Sequence, residues 1–172
     1  VVYFFDGQSI FNGAYGGQFG SWAADATMTP KSESGEWPEV IGVGIDSLSN
    51  QFNRAIEYTP PPDSFSGNAG RGDRTLAFLT DTVAPFIEST YRVRPGRESR
   101  TVVGSSLGGV MAAYTVWQRP DFAAHAFCFS PAFWIAGNLL TRFAQETPRD
   151  VTIYLDSGDR QFSFYSYSTP DD

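Results

Sequence analysis

The residues best placed to do chemistry are Gly104, Ser105, Ser106, Leu107, Gly108 and Gly109, which follow the apolar run Thr101, Val102, Val103. This is G-x-S-x-G between a β-type run and an apolar stretch free of breakers, the context in which the motif makes a sharp strand-to-helix turn. Such a turn holds its serine in a strained backbone conformation, and small neighbours at Gly104 and Gly108 keep adjacent chain from colliding with it. Ser106 Oγ is then thrust out at the carboxyl edge of a sheet. The following helix offers positive potential at its N-terminus, and the backbone N–H of Leu107 can donate to a developing oxyanion. The chemistry that fits is attack on a carbonyl carbon. A serine hydroxyl needs a neighbouring group to take its proton, and the chain has one histidine, His125.

His125 precedes the apolar residues 126–129, near the start of a strand, whereas parallel α/β sheets keep their sites at the carboxyl ends of strands. It reads as a partly buried structural histidine. Phe133 and Trp134 follow Ser130 and Pro131 at the other end of that run. They stand close to where Ser106 is expected and can wall an acyl or aromatic pocket. Arg54, Glu57, Arg92 and Arg94 read as an internal ion-pair network or as solvated charges, because acyl transfer does not need them. Trp22, Trp37 and the Gly16, Gly17 pair can form a lid or a sugar-binding edge.

Five elements must carry these residues. Residues 1–5, 40–45, 101–104, 126–129 and 151–155 are short, continuous runs rich in Val, Ile and Phe, as expected of strands buried on both faces beneath helices. Helical stretches alternate with them, which implies a parallel sheet. Residues 107–118 predict one crossover helix, stopped by Pro120. Residues 74–91 predict another, with Leu76, Leu79, Val83, Phe86 and Ile87 on one stripe, Asp73 as N-cap and Pro85 kinking it or starting a second segment. A third is expected over residues 134–145. Residues 13–39 and 48–72 read as irregular, and loops of that length in a compact domain are commonly functional. Beyond Asp159, aromatic residues alternate with serines, as in an exposed strand or a substrate-facing loop.

Composition narrows the function classes. The 172 residues fit one domain, and 41% hydrophobic and 16% aromatic content provides a packed interior. Twelve Lys and Arg against nineteen Asp and Glu leave a net charge of −7, which opposes a nucleic-acid or anionic membrane partner. No run of about 18 apolar residues spans a membrane. A lone cysteine, Cys128, and a lone histidine exclude an intrachain disulfide and the thiolate-cluster or multi-histidine metal sites. No metal or organic cofactor is implied. The first residues read as a strand and not as a signal peptide, since no basic segment precedes them.

Several segments, taken in order, resemble one family. Residues 3–8 (YFFDGQ), 41–46 (IGVGID), Arg54 with residues 57–60 (EYTP), 91–95 (YRVRP), 103–109 (VGSSLGG) and 130–134 (SPAFW) are similar to the esterase family of α/β-hydrolases that includes enterochelin esterase-like, feruloyl esterase-like and esterase D-like proteins. The resemblance implies a three-layer α/β sandwich, a mainly parallel sheet with helices on both faces. It implies that Ser106 is the nucleophile and that the N–H of Gln8, after Asp6 and Gly7, is the second oxyanion donor beside Leu107. The hydrolase order Ser, acid, His puts the acid after residues 151–155. Many relatives carry it three residues beyond the glycine, and Gln161 stands there. Asp159 is the nearest carboxylate in that turn, and Asp171 or Asp172 serves instead if the aromatic segment is an insertion. The family's histidine follows the acid, but no histidine follows Asp159. The chain therefore reads as the central part of a longer single-domain hydrolase. The reaction implied is hydrolysis of a small-molecule or glycan carboxylic ester through an acyl-enzyme. A non-catalytic hydrolase-like binding module, or acyl transfer from the same serine, are the alternatives.

Overall fold

The computed structural model describes residues 1–11, 20–48 and 50–158. In chain order its strands are β1 (Val2–Phe5), β2 (Gly42–Ile45), β3 (Ser64–Phe65), β4 (Asn68–Ala69), β5 (Thr101–Ser105), β6 (His125–Phe129) and β7 (Thr152–Asp156). The helices are α1 (Ala24–Glu33), α2 (Gln51–Tyr58), α3 (Gly72–Phe78), α4 (Ala84–Thr90), α5 (Leu107–Gln118) and α6 (Leu139–Gln145). Five strands form one parallel sheet in the order β2-β1-β5-β6-β7. The register aligns Thr101 with His125 and Thr152, and Ser105 with Phe129 and Asp156. The carboxyl ends of the three strands thus share one edge.

The period of two along each strand divides the core. Tyr3, Phe5 and Val102 point to one face, where they pack with Val110, Met111, Val116, Leu79 and Leu139. Phe4 and Val103 point to the other, where they meet Ile10, Phe11 and Met28 of α1. The sheet is covered by helices on both sides, as expected for an α/β-hydrolase-like sandwich. The crossover helix α5 spans the residues its sequence predicts, and Leu107 through Val116 are all buried. A helix apolar all round belongs inside, and α5 lies against β5 and β6 at the centre of the larger core.

Three expectations are corrected. Residues 13–39 and 48–72 are not wholly irregular, since they contain α1 and α2. Helix α1 has a polar sequence interrupted by Pro30 and no buried residue, so its pattern is faint. Helix α2 starts at Asn50, whose side chain accepts from the N–H of Asn53 at 2.7 Å, and it buries Ala55 and Tyr58. The helix over residues 74–91 does start a second segment at Pro85, as its sequence predicts, with α3 and α4 joined by a π turn at Leu79–Val83. Pro85 has no N–H for the carbonyl of Asp81 and its ring crowds that carbonyl, so the ladder widens there. Arg71, not Asp73, occupies the N-cap of α3, and Asp73 sits in the first turn, where a carboxylate favours the helix dipole. The third helix is shorter than expected, with only Leu139–Gln145 helical. Gly137 and Asn138 lie just ahead of it.

Burial also defines the lone thiol. Cys128 in β6 is fully buried, and desolvation pushes its pKa up to about 12. The nucleophilic thiolate is therefore scarce at neutral pH. The folded protein is expected to take up no iodoacetamide at pH 8 over an hour, and one equivalent in denaturant. Rapid labelling without denaturant, read by intact mass, is the contrary result.

Candidate active site

At the carboxyl edge the chain leaves β5 and turns into α5 through Ser106, whose φ of 56° and ψ of −120° no L-residue adopts readily. Such a conformation costs about 1–3 kcal/mol and persists only where surrounding structure enforces it. The enforcement here is specific. The N–H of Ser106 donates to the carbonyl of Phe129 at 3.0 Å, while the N–H groups of Val110 and Ala132 donate to the Ser106 carbonyl at 3.2 and 3.0 Å. A Cβ on Gly104 would lie 2.2 Å from the Gly108 carbonyl oxygen, and one on Gly109 would lie 3.1 Å from Pro131 Cβ. The glycines let strand, turn and helix approach one another more closely than side chains allow. Ser106 itself is exposed, and Leu107 is buried.

The chain beyond β6 is held in turn by β7. Ser130, also at positive φ (43°), donates its N–H to the carbonyl of Asp156 at 3.1 Å and to Asp156 Oδ1 at 2.9 Å. The loop that binds the Ser106 carbonyl is thus anchored to the last residue of the neighbouring strand. Ser130 and Asp156 were not among the expected site residues, because a contact between a strand end and a loop 26 residues away has no local signature.

The turn after β1 lies beside the start of α5. Asp6 is left-handed (φ 60°, ψ 46°), and Gly7–Ser9 form one 3-10 turn closed by Ser9 N–H to Asp6 O at 2.8 Å and Ile10 N–H to Gly7 O at 3.1 Å. The N–H of Gln8 precedes both bonds and has no acceptor within its own turn. The N–H groups of Leu107, Gly108 and Gly109 stand likewise ahead of the first backbone bond of α5, from Val110. Asp6 Oδ2 would lie 3.0 Å from a Cβ on Gly108, so the two turns adjoin. Both bring helical N–H donors to the edge that carries Ser106, an arrangement able to receive negative charge.

The Asp6 carboxylate does not leave that edge negative. Arg54 of α2 grips it with Nε to Oδ1 at 2.6 Å and Nη2 to Oδ2 at 2.7 Å. Burial works against the guanidinium charge, but the hydrogen bonds and charge of Asp6 outweigh it and hold the Arg54 pKa above its usual value. One turn on, Tyr58 is fully buried, and desolvation together with the Asp6 charge drives its pKa well up. It remains a neutral phenol whose oxygen accepts the Asp6 N–H at 3.1 Å.

Other expected residues divide. Trp134 is 70% exposed, whereas Phe133 is half-buried and packs on the main core. Trp22 stands edge-on to Phe129, centroids 5.7 Å apart, near the carboxyl edge. Trp37 lies instead beneath Lys31, and Gly16 and Gly17 lie outside the described residues. Arg92 and Arg94 are exposed. His125 begins β6, four residues or about 13 Å back from the level of Phe129, and its Nε2 is 3.8 Å from Glu98. Asp159, Asp171 and Asp172 lie outside the described residues. Among those that are described, no group of three or more His, Cys, Asp or Glu could hold a metal, and no helix is long and apolar enough to cross a membrane.

The chain is similar to several known proteins. The model of a family described as "Putative esterase" matches residues 1–167. An uncharacterised protein of Bacillus subtilis (strain 168), YbbA, is 30% identical over 102 residues, which is 56% of this chain and 39% of that protein. The siderophore enterobactin esterase of Emericella nidulans is 24% identical over 152 residues, 78% of this chain and 46% of that one. The crystal structure of an enterochelin esterase from Shigella flexneri superposes with a TM-score of 0.64 at 18% identity, covering 88% of this chain and 36% of that one. The chain spans less than half the length of each of these three proteins.

Proposed function

The chain belongs to the Esterase family, and on that premise we propose that it is the central part of a single-domain hydrolase that cleaves a carboxylic ester through an acyl-enzyme on Ser106. The observation that carries this reading is the enforced positive φ of Ser106 at the buried start of α5. Backbone strain at an exposed serine, held by three hydrogen bonds and two glycine contacts, serves no packing purpose that an unstrained turn would not serve better.

In this reading Ser106 Oγ attacks the carbonyl carbon while a base accepts its proton. The carbonyl π pair moves to oxygen, and the N–H groups of Leu107 and Gln8 receive that oxyanion, each contributing roughly 3 kcal/mol at the transition state. Collapse expels the alcohol, which leaves with the proton from the base, and water repeats the sequence to free the acid and regenerate Ser106. His125, about 13 Å back along its strand, is not that base. We assign the base to the remainder of the longer protein and the acid to Asp159, with Asp171 and Asp172 as the alternatives. Trp134 and Phe133 bound the acyl pocket. Two of the relatives are named for enterobactin or enterochelin esters, which supports a small-molecule ester as substrate, with a glycan ester as the second class.

A fluorophosphonate reports an activated serine. The full-length protein is expected to gain the mass of one phosphonyl group, and the Ser106→Ala variant none. A folded wild-type protein that gains no mass overturns the acyl-enzyme reading and leaves a hydrolase-like binding module.

A further inference from the structure

The Asp6–Arg54 ion pair is unusual inside a fold. The side chains are only 12% and 14% exposed, and removing two charges from water costs about as much as their attraction returns. Stability alone does not call for it. Its position does suggest a use, because Asp6 is the hinge from which the Gly7–Gln8 peptide is hung.

Every neighbour of that peptide is tied. Upstream, Arg54 holds both oxygens of Asp6, and Tyr58, one helical turn along, accepts the Asp6 N–H. The Arg54 guanidinium also lies over the Tyr58 ring, 5.3 Å from its centroid. Downstream, the Gln8 side chain makes two bonds with Ser47: its Nε2 donates to Ser47 Oγ at 2.9 Å and its Oε1 accepts the Ser47 N–H at 3.0 Å. Between them Gly7 is pressed on β2, where a Cβ would meet the Gly44 carbonyl carbon at 2.5 Å and the Ile45 nitrogen at 2.6 Å. The left-handed Asp6 sets the direction of the turn, and these contacts leave the turn no second direction.

We infer that Arg54 is a positioning residue, acting through Asp6 in two ways: it fixes the direction of the Gln8 N–H, and it cancels a carboxylate lying between the two N–H-bearing turns. This rests on the oxyanion reading above. The second role follows from Coulomb's law, since an unpaired carboxylate beside a developing oxyanion raises the energy of the transition state more than that of the neutral ester. Arg54 is therefore expected to act on kcat and to leave ground-state binding nearly alone.

The test is made in the full-length protein with a p-nitrophenyl ester. Arg54→Ala should lower kcat by about 10²-fold or more, the size of losing one oxyanion donor, with KM moved less than about threefold, the mark of an interaction made only in the transition state. Affinity for an alkyl trifluoromethyl ketone should fall in parallel with kcat, while product inhibition should not change. Millimolar guanidinium should restore part of the lost kcat. Ser47→Ala, which removes one Gln8 anchor and no charge, should lower kcat by about 3- to 10-fold, and it covers the case in which Arg54→Ala does not fold. Amide hydrogen exchange gives a readout free of turnover: in either variant Gly7 and Gln8 should exchange faster while β5 and α5 do not. Unchanged kcat in Ser47→Ala and Arg54→Ala, or loss of kcat and KM together with faster exchange across the core, overturns the inference. Failure of the parent reading looks different, since either the wild-type protein would then show no turnover and no phosphonyl labelling, or Ser106→Ala would keep its turnover.

Discussion

Replacing Ser106 with alanine is expected to lower kcat/KM of the full-length protein by about 10⁵- to 10⁶-fold, the scale on which removal of a nucleophilic serine acts. In the proposed reading the variant would keep the N–H donors of Gln8 and Leu107, so a small rate above that in water should survive. Stability should scarcely move. Ser106 is exposed, and alanine keeps the Cβ that makes φ 56° unfavourable. Glycine does not, and that conformation is ordinary for it. Ser106→Gly should therefore be as inactive as Ser106→Ala but more stable by about 1 kcal/mol or more, a gain of roughly 2–4 °C in melting temperature for a domain of this size. An enzyme made more stable by losing its nucleophile is one in which strain is held for function. If Ser106→Ala keeps more than a hundredth of the wild-type turnover, the nucleophile is elsewhere.

The parts of this site that could be read from sequence are those whose signal is local. The five sheet strands are continuous Val, Ile and Phe runs, and each was legible to within two residues. The same holds for α5, whose apolar stretch runs unbroken from the motif to Gln118. Ser106 and Leu107 came with the motif, because six consecutive residues contain the whole turn. What stayed hidden was either faint or distant. The ten residues of α1 bury no side chain and contain Pro30, so only Met28 and Ala24 tell of the sheet beneath. Helix α2 carries its pattern in eight residues just before three prolines, and the prolines dominate the reading. Arg54 could be seen as a charge that must go somewhere, but its partner lies 48 residues earlier. Nothing near Asp6 specifies that pairing. The same applies to Ser130 and Asp156, which the β6–β7 register brings together.

These distant pairs bear on how the edge works as a unit. Asp156 anchors Ser130, the loop it begins supplies the Ala132 N–H to the Ser106 carbonyl, and Phe129 receives the Ser106 N–H. On the other side Arg54 and Ser47 anchor Asp6 and Gln8. The Ser106 turn and the Asp6–Ser9 turn are fixed by different elements, and they meet where Asp6 faces Gly108. Proper alignment therefore depends on the backbones closing to contact distance at that junction, and glycine is what lets them close.

Gly104→Ala should be the most damaging single change in this edge for that reason. Its Cβ would lie 2.2 Å from the Gly108 oxygen and 2.3 Å from the Gly108 carbonyl carbon. Both atoms belong to backbone in the first turn of a buried helix, so no rotamer change relieves the overlap. Relief requires α5 to move off β5, and α5 is the centre of the main core. Overpacking where side chains can adjust costs about 1–3 kcal/mol. Here the loss should be at least about 3 kcal/mol, or roughly 6–12 °C in melting temperature, with turnover lost in whatever remains folded because Ser106 moves with the helix. Two other glycines separate this from a general effect of added methyl groups. At Gly108 a Cβ would meet Asp6 Oδ2 at 3.0 Å and Phe5 Cβ at 3.3 Å, a tight fit partly offset by the roughly 1 kcal/mol by which alanine favours a helix over glycine. At Gly137 nothing lies within 4 Å, so alanine should stabilise by about 0.4–1 kcal/mol through the unfolded chain alone. Thermal unfolding of the three variants is thus expected to rank Gly104→Ala far below wild type, Gly108→Ala slightly below or level with it, and Gly137→Ala slightly above. A Gly104→Ala protein melting within 2 °C of wild type would mean that strand and helix do not touch at this turn, and the enforced geometry of Ser106 would lose its physical cause.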